Sequence, residues 1–253
     1  YKVEKTEWVK VYIARSALLL GTENKSEKLE FLLKTLKEGN DNSRHIAAQA
    51  LGNIKSKIAV SALQDALKDE DYRVRCRAAQ ALGAIGEKSL VASLIKALND
   101  TDETVRQFVG QAIVSMGEKA VPELKKSLQS KTFAIRIYSI YLLGEIGDKS
   151  SVPLIIESLS DSNEQFRIAA AYTLGLLKAQ AAVDVLIKTL NDVNENARSN
   201  AAWALGNIGD KKALKPLQEL FGSENIVKVK VVIAAAIVKI DIAGNLDKLK
   251  YIE

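Results

Sequence analysis

The chain has 253 residues, 36 Lys and Arg against 31 Asp and Glu, one Cys and one His. One cysteine excludes a disulfide framework and a Cys-based zinc site, and one histidine excludes a His-rich metal centre. A net charge of +5 is too small to predict nucleic-acid binding, and the longest apolar run, 231–238, has eight residues against the roughly 18 a membrane span needs.

The composition is that of a soluble protein, cytoplasmic by default, with an exported form whose leader has been removed as the alternative. Because the chain starts at Tyr1 and its one Met is Met116, it reads as a processed form or as a piece of a longer protein.

From the N-terminus, residues 1–40 read as a divergent first repeat, 41–222 as regular repeats and 223–253 as a divergent last one, all within a single array over 1–253. Gly21, Gly52 and Gly83 are 31 residues apart, and so are Gly144, Gly175 and Gly206. A basic residue marks each unit at Arg44, Arg75, Arg106, Arg136, Arg167, Arg198 and Lys230. A pair of mostly small residues follows, then a segment such as QALGAIGEK, YLLGEIGDK or WALGNIGDK.

Within a unit the apolar spacing is helical. Val74, Ala78, Ala81, Leu82 and Ile85 make one stripe, a GEK turn intervenes, and Val91, Leu94 and Leu98 make a second. The turn glycines stand where a first helix stops in a left-handed cap, and Pro122, Pro153 and Pro216 fall in the first turn of the second helix, where a missing N–H costs nothing. No stretch alternates as a half-buried strand would.

A two-helix unit of this size covers its apolar face only by stacking on its neighbours. The expected fold is therefore all-α, a right-handed α-solenoid of about eight two-helix repeats of about 31 residues. The first helices carry the small pairs Ala47-Ala48, Ala78-Ala79, Ala170-Ala171 and Ala201-Ala202, pack closest, and should line the concave side.

VRCRAAQALGAIGEK at 74–88, FRIAAAYTLG at 166–175 and ARSNAAWALGNIGDK at 197–211 resemble HEAT-like repeats of the phycobilisome-lyase type. The resemblance covers nearly the whole chain and implies a scaffold or binding surface, with a bilin-lyase-like or other accessory enzyme subunit as the alternative. A nucleic-acid-binding protein built from HEAT-like repeats is the second alternative.

Six residues before the basic markers stand Glu38, Asp69, Asp100, Ser130, Asp161, Asp192 and Glu224, which predicts ion pairs knitting the inter-helix turns. A second ladder, Lys57, Lys88, Lys119, Lys149 and Lys211, has Glu87, Glu118, Asp148 and Asp210 beside four of its members. With acids so placed, neither ladder offers the unopposed basic stripe that nucleic acid requires, so bulk DNA or RNA should bind weakly. No metal, cofactor or catalytic residue is predicted. His45 is followed by Ile46 rather than by Glu, and Cys76 and His45, 31 residues apart, lack a recognisable third group for catalysis.

The binding candidates lie three residues before the repeated glycine. That position reads Gln49, Gln80, Gln111, Tyr141, Tyr172, Trp203: three amides, then three aromatics. Tyr138 is one turn from Tyr141, with Phe133 at the edge, and Asn196, Asn200 and Asn207 share the Trp203 side of their helix. WALGNI at 203–208 also resembles the Trp-x-x-x-Asn element of armadillo repeats, which implies that Trp203 forms side-chain pockets and Asn207 holds the backbone of an extended peptide. The expected site is Tyr138, Tyr141, Tyr172, Trp203, Asn200 and Asn207 with Gln111, binding another protein or a peptide on the concave face of repeats five to seven. The apolar stretch 231–240, with only Leu246, Leu249 and Ile252 beyond it, predicts a further domain or end-to-end self-association at the C-terminal repeat.

Overall fold

The computed structural model describes the backbone of residues 2–21 and 24–249, with side chains over 9–21 and 24–242. Among the described residues there are fifteen α-helices and no strand. Seven helix pairs follow one another: α1 (Lys2–Leu19) with α2 (Lys25–Glu38), α3 (Asp41–Asn53) with α4 (Val60–Ala66), α5 (Tyr72–Ile85) with α6 (Val91–Ala97), and α7 (Glu103–Ser115) with α8 (Val121–Ser127). Then come α9 (Phe133–Ile146) with α10 (Val152–Glu157), α11 (Glu164–Leu176) with α12 (Val183–Thr189), and α13 (Glu195–Ile208) with α14 (Leu214–Ser223). The last helix, α15 (Val227–Leu249), runs unbroken from the apolar stretch 231–240 to 249. The side chains of Leu246, Leu249 and Ile252 lie outside the described residues.

The chain divides into two compact units, Tyr1–Glu123 and Leu124–Glu253. In each, the first helices of successive pairs pack on one another: α3 on α5 and α5 on α7 in the first unit, α9 on α11, α11 on α13 and α13 on α15 in the second. The second helices pack mainly against the first helix of the next pair, as α4 does on α5, α12 on α13 and α14 on α15.

The small residues explain the tight row. Ala47, Ala48, Ala78, Ala79, Ala170, Ala201 and Ala202 are fully buried, and so are Leu51, Leu82, Leu143, Leu174 and Leu205 beside them. At Gly52, Gly83, Gly144, Gly175 and Gly206 there is no room for a side chain, whereas Gly21, placed in the same register by the sequence, lies in the turn after α1 with φ of 72° and space for one. A Cβ at Gly52 would lie 2.6 Å from the Ala81 Cβ, and one at Gly206 2.8 Å from the Ala236 Cα. On the other side of each pair, Leu63, Leu94, Leu124, Ile155, Leu186 and Leu217 are fully buried, each worth about 1.5–3 kcal/mol of transfer free energy.

Asp or Asn opens most first helices: Asn40, Asp71, Asp102, Asn163 and Asn194 each accept a backbone N–H of the first turn. The turn glycines Gly86, Gly117, Gly147 and Gly209 have φ of 67°, 57°, 81° and 81°, the left-handed stop read from the sequence. Lys55 and Lys178 hold the same turn in their repeats with φ of 49° and 48°, a conformation an L-residue adopts at a cost of about 1–2 kcal/mol. Pro122, Pro153 and Pro216 fall within the first three residues of α8, α10 and α14.

The charge ladder forms with a different connectivity from the one expected. Where the following turn has an acid, the arginine reaches forward to it: Arg44 to Asp69 at 2.8 Å, Arg75 to Asp100 at 2.7 Å, Arg167 to Asp192 at 2.6 Å and Arg198 to Glu224 at 2.8 Å. Arg136 pairs likewise with Asp161. The acid six residues earlier instead offers its backbone carbonyl, as Asp69 does to Arg75 at 2.9 Å and Asp192 to Arg198 at 2.9 Å. Its carboxylate also caps its own loop, Asp69 accepting the Asp71 N–H and Asp192 the Asn194 N–H. The guanidinium of Arg167, hydrogen-bonded to Asp192, holds that carboxyl below its ordinary range, and Arg198 does the same for Glu224.

Candidate functional site

In the second unit the exposed side of the first helices carries the aromatic row. The Tyr141 and Tyr172 ring centroids are 6.0 Å apart at 65°, edge to face, and those of Tyr172 and Trp203 are 5.1 Å apart at 14°, stacked. Both arrangements are favourable for aromatic pairs. Side chains about 10 Å apart at the helix axes lean together into one continuous surface rather than standing as separate pockets.

The glycine positions set the depth of the row. Trp203 lies directly over Gly175, where an added Cβ would come within 2.6 Å of its Cζ3. The ring is therefore half-buried on α11 while Tyr172 beside it stays 37% exposed. Tyr138 and Tyr141 are half-buried, and burial, with Tyr172 and Tyr138 nearby, pushes the Tyr141 phenol above its ordinary pKa.

The amides are engaged differently from one another. Asn200 donates to the Asn196 carbonyl of its own helix at 2.8 Å. Asn207 accepts from the Lys239 ammonium of α15, and among the described residues no acceptor takes its amide nitrogen. Phe133 belongs to a separate cluster: its ring is 5.2 Å from that of Phe166, over which the Arg136 guanidinium lies at 4.0 Å. Gln111 is on α7 in the first unit, exposed, in the same row as half-buried Gln49 and exposed Gln80.

Three exposed apolar residues on α11 and α15 are absent from the sequence-derived site. Leu176, one turn beyond Tyr172, is 40% exposed, and Val227 and Val231 on α15 are 74% and 63% exposed. Leu176 and Val231 stand one turn after and one turn before the row position in their repeats, a phase at which the sequence offered an apolar residue on an otherwise open side.

The remaining chemical candidates are quiet. Burial pushes the Cys76 thiol up to about 11, helped by the Asp102 carboxylate, so it is not a thiolate at neutral pH. His45 Nδ1 lies 3.2 Å from the Asp41 carbonyl oxygen, and no hydrogen bond joins it to Cys76. Among the described residues no cluster of His, Cys, Asp and Glu could hold a metal ion, and no helix is long and apolar enough to cross a membrane. The turn lysines find neighbours across repeats, Lys57 pairing with Glu87 at 3.0 Å and Lys119 donating to the Gly86 carbonyl at 2.8 Å.

No curated protein matches the chain. Among solved structures it is similar to that of the complex of CpcE and CpcF of phycocyanin lyase from Nostoc sp. PCC7120, with 23% identity, a TM-score of 0.56, and coverage of 59% of this chain and 99% of that one. It is also similar to Kap95p in a structure with RanGDP, at 13% identity and a TM-score of 0.62 over 88% of this chain and 37% of that one. Human deoxyhypusine hydroxylase matches at 22% identity and a TM-score of 0.43, over 91% of this chain and 88% of that one. At these identities the likeness is one of fold. A family model for HEAT repeats matches residues 29–114, 91–161 and 152–238, the stretch in which the helix pairs, the glycine contacts and the arginine ladder recur, and the chain belongs to the HEAT-repeat family.

Proposed function

We propose that the protein is a non-catalytic binding scaffold that takes a protein or an extended peptide on the concave face of its first helices. Tyr138, Tyr141, Tyr172 and Trp203, with Asn200 and Asn207, form the centre of the site. The observation that carries this reading is the joined row of three rings, one per repeat, left partly open to solvent. Tyr and Trp bury large areas at low entropic cost and dominate interface hot spots. Asn207, its oxygen held by Lys239, presents its N–H groups to a main-chain carbonyl.

The test is a pull-down with the native chain beside a Tyr141→Ala/Tyr172→Ala/Trp203→Ala chain shown to be folded by circular dichroism. A partner retained by the first and lost by the second is the expected result. Equal capture by both overturns the assignment, and a tetrapyrrole copurifying with the native chain would favour the accessory-lyase alternative.

A further inference from the structure

The same face of the first unit has a different chemistry. Over 42–53 on α3, 73–85 on α5 and 104–115 on α7 there is no carboxylate. Most of the arginines there are already committed. Arg44 and Arg75 belong to the ladder, and Arg73 pairs with Asp71 at 2.6 Å and with Asp41. Two cations are held by amides instead. Arg77 donates to Gln80 Oε1 at 2.9 Å, and the Arg15 guanidinium on α1 faces the Asn53 side-chain amide, whose oxygen accepts from it when the amide is turned towards the arginine. Among the described residues neither meets a carboxylate within ion-pair distance. An amide oxygen fixes the direction of a guanidinium without neutralising its charge.

We propose that this face is a second binding surface, selective for an extended peptide segment bearing acidic side chains. Arg77 and Arg15 receive the carboxylates, and Gln49, Gln80 and Gln111 pair with the main chain. Packed helix axes lie about 8–10 Å apart, and a chain in the extended polyproline II conformation advances about 3.1 Å per residue with three residues per turn, so every third residue of the segment meets an equivalent glutamine from the same side. A side-chain amide both donates and accepts, as a main chain does. Gln80, with its oxygen taken by Arg77, keeps its N–H groups for a carbonyl. A nucleic-acid strand fits less well, because its phosphates accept only and two uncommitted cations neutralise few of them.

Fluorescence anisotropy with the full chain tests this, using a labelled peptide of about twelve residues with Glu at every third position, its Lys-for-Glu counterpart, and an oligothymidylate of similar length. The acidic peptide is expected to bind at least about tenfold more tightly than the basic one. Arg77→Gln should weaken it about tenfold with unchanged circular dichroism, Arg77→Lys should weaken it less, and Lys96→Gln on the second helix α6 should leave it unchanged. Equal binding of the two peptides, indifference to Arg77→Gln, or tighter binding of the oligothymidylate would overturn the proposal.

Discussion

The two units present one scaffold with two faces. On α3, α5 and α7 the position three before the repeated glycine or its equivalent carries Gln49, Gln80 and Gln111, while on α9, α11 and α13 it carries Tyr141, Tyr172 and Trp203. The buried alanine pairs, the glycine contacts and the forward-reaching arginines occur in both. Packing therefore leaves one outward position per repeat that need not be small or aliphatic, and the chemistry of each face is written there.

The sharpest way to probe that division is at the glycines. Gly83→Ala drives a methyl to 2.8 Å from the Ala112 Cα, a helix backbone that must move, and Gly175→Ala meets the Ala204 Cα at the same distance and the Trp203 ring besides, at 2.6 Å. The first should lower stability in denaturant melts by about 3 kcal/mol and leave the second unit's partner bound. The second should lower stability and binding together, since the ring it displaces belongs to both core and site. Partner affinity unchanged in Gly175→Ala would separate Trp203 from the binding surface.

The ladder should behave alike in both units, because it belongs to the scaffold. Asp100→Asn and Asp192→Asn are each expected to cost about 2 kcal/mol by urea unfolding, and a cost confined to one unit would break the equivalence. Hydrogen bonding from Arg73 lowers the Asp71 carboxyl to about 2, and Arg167 depresses Asp192 in the same direction. With folded pKa values below unfolded ones, this stabilisation is complete above about pH 4 and is lost as pH falls towards 2. An acid titration followed by circular dichroism should show its main loss in that interval.

On the faces themselves the expected effects are smaller. Tyr172→Ala should weaken the second unit's partner about tenfold, or 1.4 kcal/mol, with little change in melting, while Gln80→Ala leaves that partner untouched. Calorimetric titration with the captured partner distinguishes them. Smallest of all, Lys55→Gly in the first unit and Lys178→Gly in the second should each raise stability by about 0.5–1 kcal/mol, by relieving a positive φ at a turn where the other repeats use glycine. A loss at either position would show that the lysine side chain does more than its backbone costs.

Much of this was legible in the sequence because a repeat states its packing rules several times over. The helix pairs, the glycine turns, the proline positions and the close-packed alanines all follow from spacing alone. The arginine partners did not, for a reason peculiar to periodic chains: six residues back and 25 residues forward are the same place in a 31-residue period, so spacing cannot say which repeat supplies the carboxylate. The stacking of Tyr172 on Trp203 depends on rings leaning across a helix spacing, and the hold of Lys239 on Asn207 depends on a rotamer. Leu176 was passed over because a single apolar residue within a helix reads as core until its exposure is known, and Val231 was read as part of the apolar stretch 231–240 at the C-terminal repeat.

The forward reach of the arginines also gives each unit a mechanical direction. Arg75 grips the carbonyls of the turn before it, at Asp69 and Glu70, and the carboxylate of the turn after it, at Asp100; Arg167 and Arg198 do the same between their own neighbours. Successive turns are thus riveted edge to edge, with no rivet spanning more than one repeat. Strain applied at one turn passes to the next through a guanidinium whose two ends are anchored in different repeats. A unit built this way can flex between rivets like a watch strap while the order of its links, and so the register of the outward row they carry, stays fixed.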